Sequence, residues 1–192
     1  RSLAGFTLAN AMERAGHEVQ MLSDPAELAS FEALIIAVGD ARLEATVELL
    51  EPHVHRGLIV FHTCLSRGVQ VLDPLETRGC VVAALAPFAL MRWAVTTLDE
   101  LGETVVELNI TEFRGEAVAL SDAERPSFAA RAYYAEMLRR LHISAAVDAR
   151  FFPTAEEKPM VGEDMDTEEI IAAYRGATDP GLRRSYVEVA RR

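Results

Sequence analysis

The chain has 192 residues, of which 50% are hydrophobic and 26% are charged. This balance is typical of a globular protein and excludes a long disordered tract. The formal net charge is -11, with 30 acidic and 19 basic residues, so the chain lacks the positive charge that drives binding to nucleic-acid phosphates. No apolar run reaches the roughly 20 residues that a membrane-spanning helix needs. We therefore expect neither a nucleic-acid partner nor a membrane partner.

The first element in chain order is a helix over residues 3–15, where apolar residues recur at helical spacing and Gly16 follows as a stop. A parallel sheet normally begins with a strand, so we expect a strand upstream of this helix. Residues 17–22 alternate as a short strand does. Residues 23–25, Ser-Asp-Pro, then predict a turn that caps a brief helix at 26–30.

Three continuous apolar runs follow, at 33–38, 57–62 and 80–85. Such runs are typical of parallel strands that are buried on both faces. Helical segments near 43–52 and 69–77 separate them. Short strands that alternate with helices of about ten residues predict an α/β fold, with a parallel sheet that has helices on both faces.

Beyond Pro87 the pattern changes, and we predict helices at 90–101, 127–141, 167–174 and 180–190. We therefore expect a boundary near 87–92, with a sheet domain at 1–88 and a mainly helical C-terminal domain at 89–192.

Two segments of this second half have less regular patterns. Residues 103–120 fit a strand or a helix, and the heptad spacing of Leu98, Leu101, Val105 and Leu108 slightly favours a helix. Residues 151–166 combine prolines and a glycine with acidic clusters, which predicts a mobile, solvated loop.

The first 19 residues carry a family signature. A helix of small residues ends in Ala-Gly-His-Glu-Val at 15–19, and this run resembles the end of the dinucleotide fingerprint of the 6-phosphogluconate-dehydrogenase-like proteins. On this alignment Gly5 takes the third glycine place of Gly-x-Gly-x-x-Gly, where a missing side chain lets the helix pack on the sheet. Ser2 takes the second glycine place, where backbone normally approaches the pyrophosphate. The first glycine would lie before Arg1.

The resemblance spans residues 1–88 and implies a Rossmann-type sheet, an NAD or NADP cofactor, and oxidoreductase activity on a small molecule of unknown identity. Two features depart from the family pattern. Ala86 stands before Pro87 where related enzymes often have histidine, and the predicted helix at 128–137 lacks the Lys/Asn or His/Asn set of related enzymes. A second function therefore stays open, that of a catalytically degenerate, dimeric Rossmann-fold protein with a binding or structural role.

Residues at strand ends are the candidates for cofactor binding, because open α/β sheets bind ligands at the carboxyl ends of their strands. Asp24 follows the predicted second strand and could bond a ribose 2′-hydroxyl, which would favour NAD over NADP. It could equally cap the helix that Pro25 begins. Gly39 and Asp40 end a buried strand, and Asp40 could instead be an N-cap.

The loop that follows the strand at 57–62 carries several polar side chains. His62 is the candidate acid or base in hydride transfer, because an imidazole titrates near neutrality, and Thr63 is a candidate cofactor contact. His62 could also be an ordinary hydrogen-bonded loop histidine. We expect no nucleophilic role for Cys64, and no metal site at His53 and His55, because further ligands are not spaced nearby.

The chain has two cysteines and no signal-peptide pattern, which predicts a cytoplasmic protein. Related proteins commonly dimerise through their helical part, so the resemblance implies a homodimer. Core packing against the sheet is the alternative explanation for the apolar stripes that would form its interface, which contain Leu98, Leu101, Phe128, Tyr134, Leu138 and Leu141.

Overall fold

A computed structural model describes residues 2–140 and 166–191. Five strands form one sheet in the order of their numbering. The strands are β1 (Ala33–Ile36), β2 (Ile59–His62), β3 (Val81–Ala89), β4 (Arg92–Thr97) and β5 (Glu116–Ala119). The helices are α1 (Leu3–Ala15), α2 (Asp40–Leu50), α3 (Asp73–Glu76), α4 (Glu100–Glu112), α5 (Arg125–Arg140), α6 (Thr167–Gly176) and α7 (Pro180–Ala190).

The sheet is mostly parallel. β1, β2 and β3 run in the same direction, because a helical crossover connects each to the next. β3 and β4 form an antiparallel hairpin, and β5 is parallel to β4. The predicted fold class is confirmed, with a Rossmann-type α/β sheet followed by a helical C-terminal region.

Helices cover both faces of the sheet, because side chains alternate along each strand. On one face α1 and α4 pack against the sheet around Leu8 and Phe61. On the other face α2 and α3 pack around Leu43. Farther along that face, the C-terminal helices pack around Phe88 and Tyr186.

Two predicted elements are wrong. Residues 17–22 are not a strand, since among the described residues no neighbouring strand pairs with them; Val19 and Leu22 instead pack against the core from an irregular segment. The helix predicted at 90–101 is replaced by β4, because Met91 adopts a left-handed conformation (φ 57°) at the hairpin and returns the chain along β3.

The sheet continues across the predicted boundary near 87–92, which falls in the β3–β4 hairpin. Within residues 103–120, the residues at 105–108 lie in α4, as the heptad spacing favours, and a strand that was not predicted there, β5, follows at Glu116–Ala119. In the described chain the helical region begins at Arg125, so the division into domains 1–88 and 89–192 stays a prediction. Leu141 and the loop predicted at 151–166, except Asp166, lie outside the described residues.

None of the helices in the described part of the chain combines the length and the apolar character needed to cross a bilayer.

Helix α1 begins in close contact with the end of β1. The Oγ of Ser2 caps the helix by accepting a hydrogen bond from the Gly5 amide at 3.1 Å. A Cβ on Gly5 would overlap the Cβ of Ala37, which follows β1. Only glycine therefore allows the helix to approach the sheet this closely, which is the packing that the family resemblance implies for Gly5.

Gly5→Ala is expected to lower the free energy of unfolding by about 1–3 kcal/mol, because the new methyl group would force α1 away from Ala37. Ala37→Gly removes the overlapping partner, so the double variant should recover part of that loss. Urea denaturation of the wild type, both single variants and the double variant gives the coupling energy. Strictly additive effects of the two substitutions would contradict this packing.

Candidate ligand-binding site at the carboxyl edge of the sheet

Predicted site residues from separate parts of the chain meet where β1 and β2 end. The start of α1 lies there, because Gly5 packs on Ala37. The Thr63 amide donates to the Ile36 carbonyl at 3.3 Å, which continues the pairing of β1 with β2 by one residue. The predicted residues that gather at this carboxyl edge are Ser2, Gly5, Gly39, Asp40 and Thr63.

Helix α2 also begins at the carboxyl edge. Gly39 is its N-cap and makes no side-chain capping bond, so the alternative role of Asp40 as N-cap is wrong. The Asp40 carboxylate instead accepts a hydrogen bond from the Ser66 hydroxyl. This bond joins the end of β1 to the loop that follows β2.

Asp24 makes a local contact. It is the N-cap of a 3₁₀ turn at Pro25–Ser30, and its Oδ1 accepts a hydrogen bond from the Ala26 amide at 2.9 Å. The structure thus shows the capping role that the sequence left open, and the ribose contact stays a prediction.

The Thr63 side chain is buried and unsatisfied. Only 3% of the residue is exposed, and its Oγ1 has no hydrogen-bond partner. Such an orphaned hydroxyl costs about 1–3 kcal/mol unless another group bonds it. Thr63 lies two residues after Phe61, which packs on Leu8, so alternation places the hydroxyl on the α1 side of the sheet. Its position suits a contact with a ligand at the carboxyl edge.

His62 is completely buried, and both ring nitrogens are engaged. Its Nδ1 accepts from the Cys64 amide at 3.2 Å, so Nε2 carries the proton and donates to the Gly68 carbonyl at 3.0 Å. Burial lowers the pKa of His62 to about 3, and repulsion by the Arg125 charge contributes. This geometry favours the hydrogen-bonded loop histidine over the acid or base in hydride transfer.

The Cys64 thiol is also held in the interior. It donates to the Val38 carbonyl at 3.2 Å, and burial raises its pKa far above the usual range of a thiol. A thiol that stays protonated is a poor nucleophile. In the described residues no group of three or more His, Cys, Asp or Glu side chains is arranged to hold a metal ion.

Arg125, at the start of α5, was not a candidate in the sequence, yet it is fully buried beside the carboxyl edge. Its Nε donates to the Thr96 hydroxyl at 2.7 Å, and its two terminal nitrogens donate to the carbonyls of Cys64 at 2.9 Å, Ala84 at 3.0 Å and Ala94 at 2.9 Å. Burial lowers the pKa of Arg125 to about 10, so the side chain stays charged at neutral pH. It binds the start of α5 to β3, to β4 and to the loop that follows β2.

Asp122, which precedes α5, forms a second link, to the 3₁₀ turn at Val69–Leu72. Its carboxylate accepts hydrogen bonds from the amides of Val69 at 2.8 Å and Gln70 at 3.1 Å. A Cβ on Gly68 would overlap this carboxylate, so glycine is required there by close approach. The negative charge of Asp122 also raises the pKa of Arg125 against the effect of burial.

Two further residues that the sequence did not suggest, Tyr133 of α5 and Glu169 of α6, form a hydrogen-bonded pair. The Tyr133 hydroxyl donates to Glu169 Oε2 at 2.6 Å. Glu169 Oε1 lies 3.1 Å from the position that a Cβ on Gly39 would take, so the pair reaches the end of β1. Burial raises the pKa of Tyr133 above its usual range, and Glu169 acts in the same direction. A phenol that keeps its proton and a carboxylate acceptor thus lie at the carboxyl edge.

The model of the Rossmann-like domain family matches residues 22–87. No curated protein shows significant sequence similarity to the chain. The chain resembles 3-hydroxyisobutyrate dehydrogenase from Mycobacterium tuberculosis, with a TM-score of 0.62 and 12% identity over 98% of this chain and 90% of that chain.

Two other similar structures contain a nicotinamide dinucleotide. Prephenate dehydrogenase from A. aeolicus, in complex with NAD+, gives a TM-score of 0.51 and 12% identity over 96% of this chain and 79% of that chain. Pyrroline carboxylate reductase from Plasmodium falciparum, with NADP bound, gives a TM-score of 0.53 and 12% identity over 97% of this chain and 71% of that chain. At these identities the similarity shows the fold alone. The chain is thus a protein with a Rossmann-like domain, in a fold that it shares with dehydrogenases and reductases.

The buried state of His62 predicts a pH dependence of stability. In the unfolded chain a histidine has its usual pKa near 6.5, whereas the native pKa is about 3. Between these values the unfolded state binds a proton that native His62 does not, so the free energy of unfolding decreases by up to about 1.4 kcal/mol for each unit by which the pH is lowered. Above pH ~6.5 His62 makes no such contribution.

Urea denaturation between pH 4.5 and 7.5 measures this effect. His62→Gln should remove the part of the pH dependence of the unfolding free energy that His62 contributes. NMR of the imidazole nitrogens provides the direct observation, with His62 neutral and protonated at Nε2 throughout the range. A His62 ring that titrates near pH 6.5 would contradict its burial.

Proposed function

We propose that the chain is an NAD(P)-dependent oxidoreductase of the 6-phosphogluconate-dehydrogenase-like type that acts on a small molecule. The observation that carries this proposal is the buried Thr63 hydroxyl, which has no partner although it lies at the carboxyl edge of the parallel strands. Ligands bind at this edge in open α/β sheets. Buried polar groups rarely stay unsatisfied, and a ligand at this edge would give the Thr63 hydroxyl a partner.

The start of α1 suits a pyrophosphate. Helix N-termini attract anions, and Gly5 brings this one against the end of β1. Ser2 already accepts a hydrogen bond from the Gly5 amide, but a serine hydroxyl keeps its own proton for donation to a phosphate oxygen. Asp24 would contact the ribose and disfavour a 2′-phosphate, so NAD is the expected cofactor.

The nicotinamide ring would lie near Gly39, Asp40 and Thr63, and the dinucleotide when bound supplies hydride transfer. The chain itself must handle the proton, and His62 is unsuited to this task because it is buried and neutral. Tyr133 and Glu169 provide an alternative, since the Glu169 carboxylate can accept a proton from the substrate while the hydrogen bond from the Tyr133 hydroxyl holds it in place. Both groups come from the C-terminal helices, so the site would need both parts of the chain.

The catalytically degenerate, dimeric protein with a binding or structural role is the second candidate function. The engaged ring of His62 favours it, because the residue expected to exchange protons has neither access to solvent nor a free nitrogen. Of the apolar stripes, Phe128, Tyr134 and Leu138 pack in the core, whereas Leu98 and Leu101 are exposed. A homodimer that forms through these exposed leucines is therefore compatible with both candidate functions.

The cytoplasmic location is also part of the proposal. Both cysteines, Cys64 and Cys80, are buried and free. Free thiols suit a reducing compartment.

Titration calorimetry of the intact protein with NADH, NADPH and ATP tests the proposed cofactor. We expect saturable binding of NADH in the micromolar range, weaker binding of NADPH and none of ATP. Thr63→Val should weaken NADH binding about tenfold, because the ligand loses a buried hydrogen bond. Thr104→Val, at an exposed position on α4, is the matched control and should not change the affinity.

Absence of heat with either dinucleotide at millimolar concentration would contradict the oxidoreductase proposal and leave the degenerate protein as the better account. Equal weakening by Thr63→Val and Thr104→Val would instead contradict the role of Thr63.

A further inference from the structure

A groove of about 550 Å³ lies between α4 and the last two strands of the sheet, β4 and the edge strand β5. Its volume is in the range of sites for small molecules. Val95 and Val106 are buried at its base, and Ala117 and Ala119 line it from β5. The methyl side chains of these alanines leave the groove open, whereas the intervening Val118 packs against the C-terminal helices. None of the residues gathered at the carboxyl edge lines this groove.

Two exposed glutamates give the groove a negative charge. Glu103 and Glu107 line it from α4, four residues apart and therefore on the same side of the helix. Like charges at this spacing destabilise a helix, and in the described structure no cationic side chain pairs with either carboxylate. The lining includes neither lysine, arginine nor histidine. Its third acid, Asp122, already accepts bonds from the amides of residues 69 and 70.

We propose that this groove binds a small organic cation, an amine with an apolar body. The ammonium group would lie between Glu103 and Glu107 and relieve their mutual repulsion. The apolar body would cover Val95, Val106 and Ala119. The two glutamates select for a cation. Without them, the apolar residues of the groove would bind any apolar molecule of similar shape equally well. The inference is independent of dinucleotide binding at the carboxyl edge.

NMR titration of the full chain with 2-phenylethylammonium chloride tests the proposal, with 2-phenylethanol and phenylacetate as neutral and anionic probes of the same shape. The ammonium probe should cause saturable shifts in the amides of residues 103–107 and 117–120. Glu103→Gln combined with Glu107→Gln should weaken its binding about fivefold or more, because two carboxylate contacts are lost. Phenylethanol should bind at least about fivefold more weakly than the ammonium probe, and phenylacetate more weakly still.

Glu100→Gln is the matched control, since Glu100 is an exposed acid on the same helix that does not line the groove. Ala119→Leu fills the groove without a change in charge and should abolish binding, and circular dichroism checks that each variant folds. Equal binding of the alcohol, equal effects of the Glu100 and Glu103/Glu107 substitutions, or unchanged binding by folded Ala119→Leu would each overturn the proposal.

Discussion

The guanidinium of Arg125 donates hydrogen bonds to a hydroxyl and to backbone carbonyls that belong to β3, to β4 and to the loop after β2. These acceptors come from two strands and one loop, and they surround a side chain with no exposed surface. A buried charge is tolerated only when its donors are satisfied. The folded sheet must therefore present these carbonyls to Arg125, and α5 must begin where they meet. The sheet and the helical C-terminal region depend on this one cluster.

The same cluster shapes the carboxyl edge. α5 begins at Arg125 and carries Tyr133 eight residues later, about two helical turns along, where its hydroxyl bonds Glu169 of α6 near Gly39. The fixed start of α5 thus helps to place the phenol and carboxylate at the end of β1. The Arg125 charge also disfavours protonation of His62, so the residue that anchors the helices helps to keep this histidine neutral.

The sequence predicts what local pattern determines. The apolar runs that became β1, β2 and β3 are continuous in the chain, and Gly5 occupies a place defined by the spacing of a local fingerprint. The predicted helix at 90–101 failed because apolar periodicity over a short run cannot distinguish a hairpin strand from a helix. Thr63 was a candidate because strand ends are known ligand positions, and its contact with a cofactor stays a prediction.

The residues that sequence reasoning missed act over long separations. Arg125 bonds the carbonyl of Cys64, 61 residues earlier, and Tyr133 bonds Glu169, 36 residues later. No spacing rule in one sequence encodes such pairs. His62 shows the reverse problem, because its residue type and strand-end position suggested catalysis, whereas its burial removes the proton exchange that catalysis requires.

Arg125 holds the C-terminal helices on the edge of the sheet. Native-state hydrogen exchange on Arg125→Lys tests it directly, with Arg42→Lys on the exposed side of α2 as control. Lysine cannot satisfy the acceptors that the planar guanidinium bonds. We predict that amides of α5 and β3 lose protection equivalent to about 3 kcal/mol or more, while Arg42→Lys exchanges like the wild type. Unchanged protection in α5 of Arg125→Lys would contradict the account.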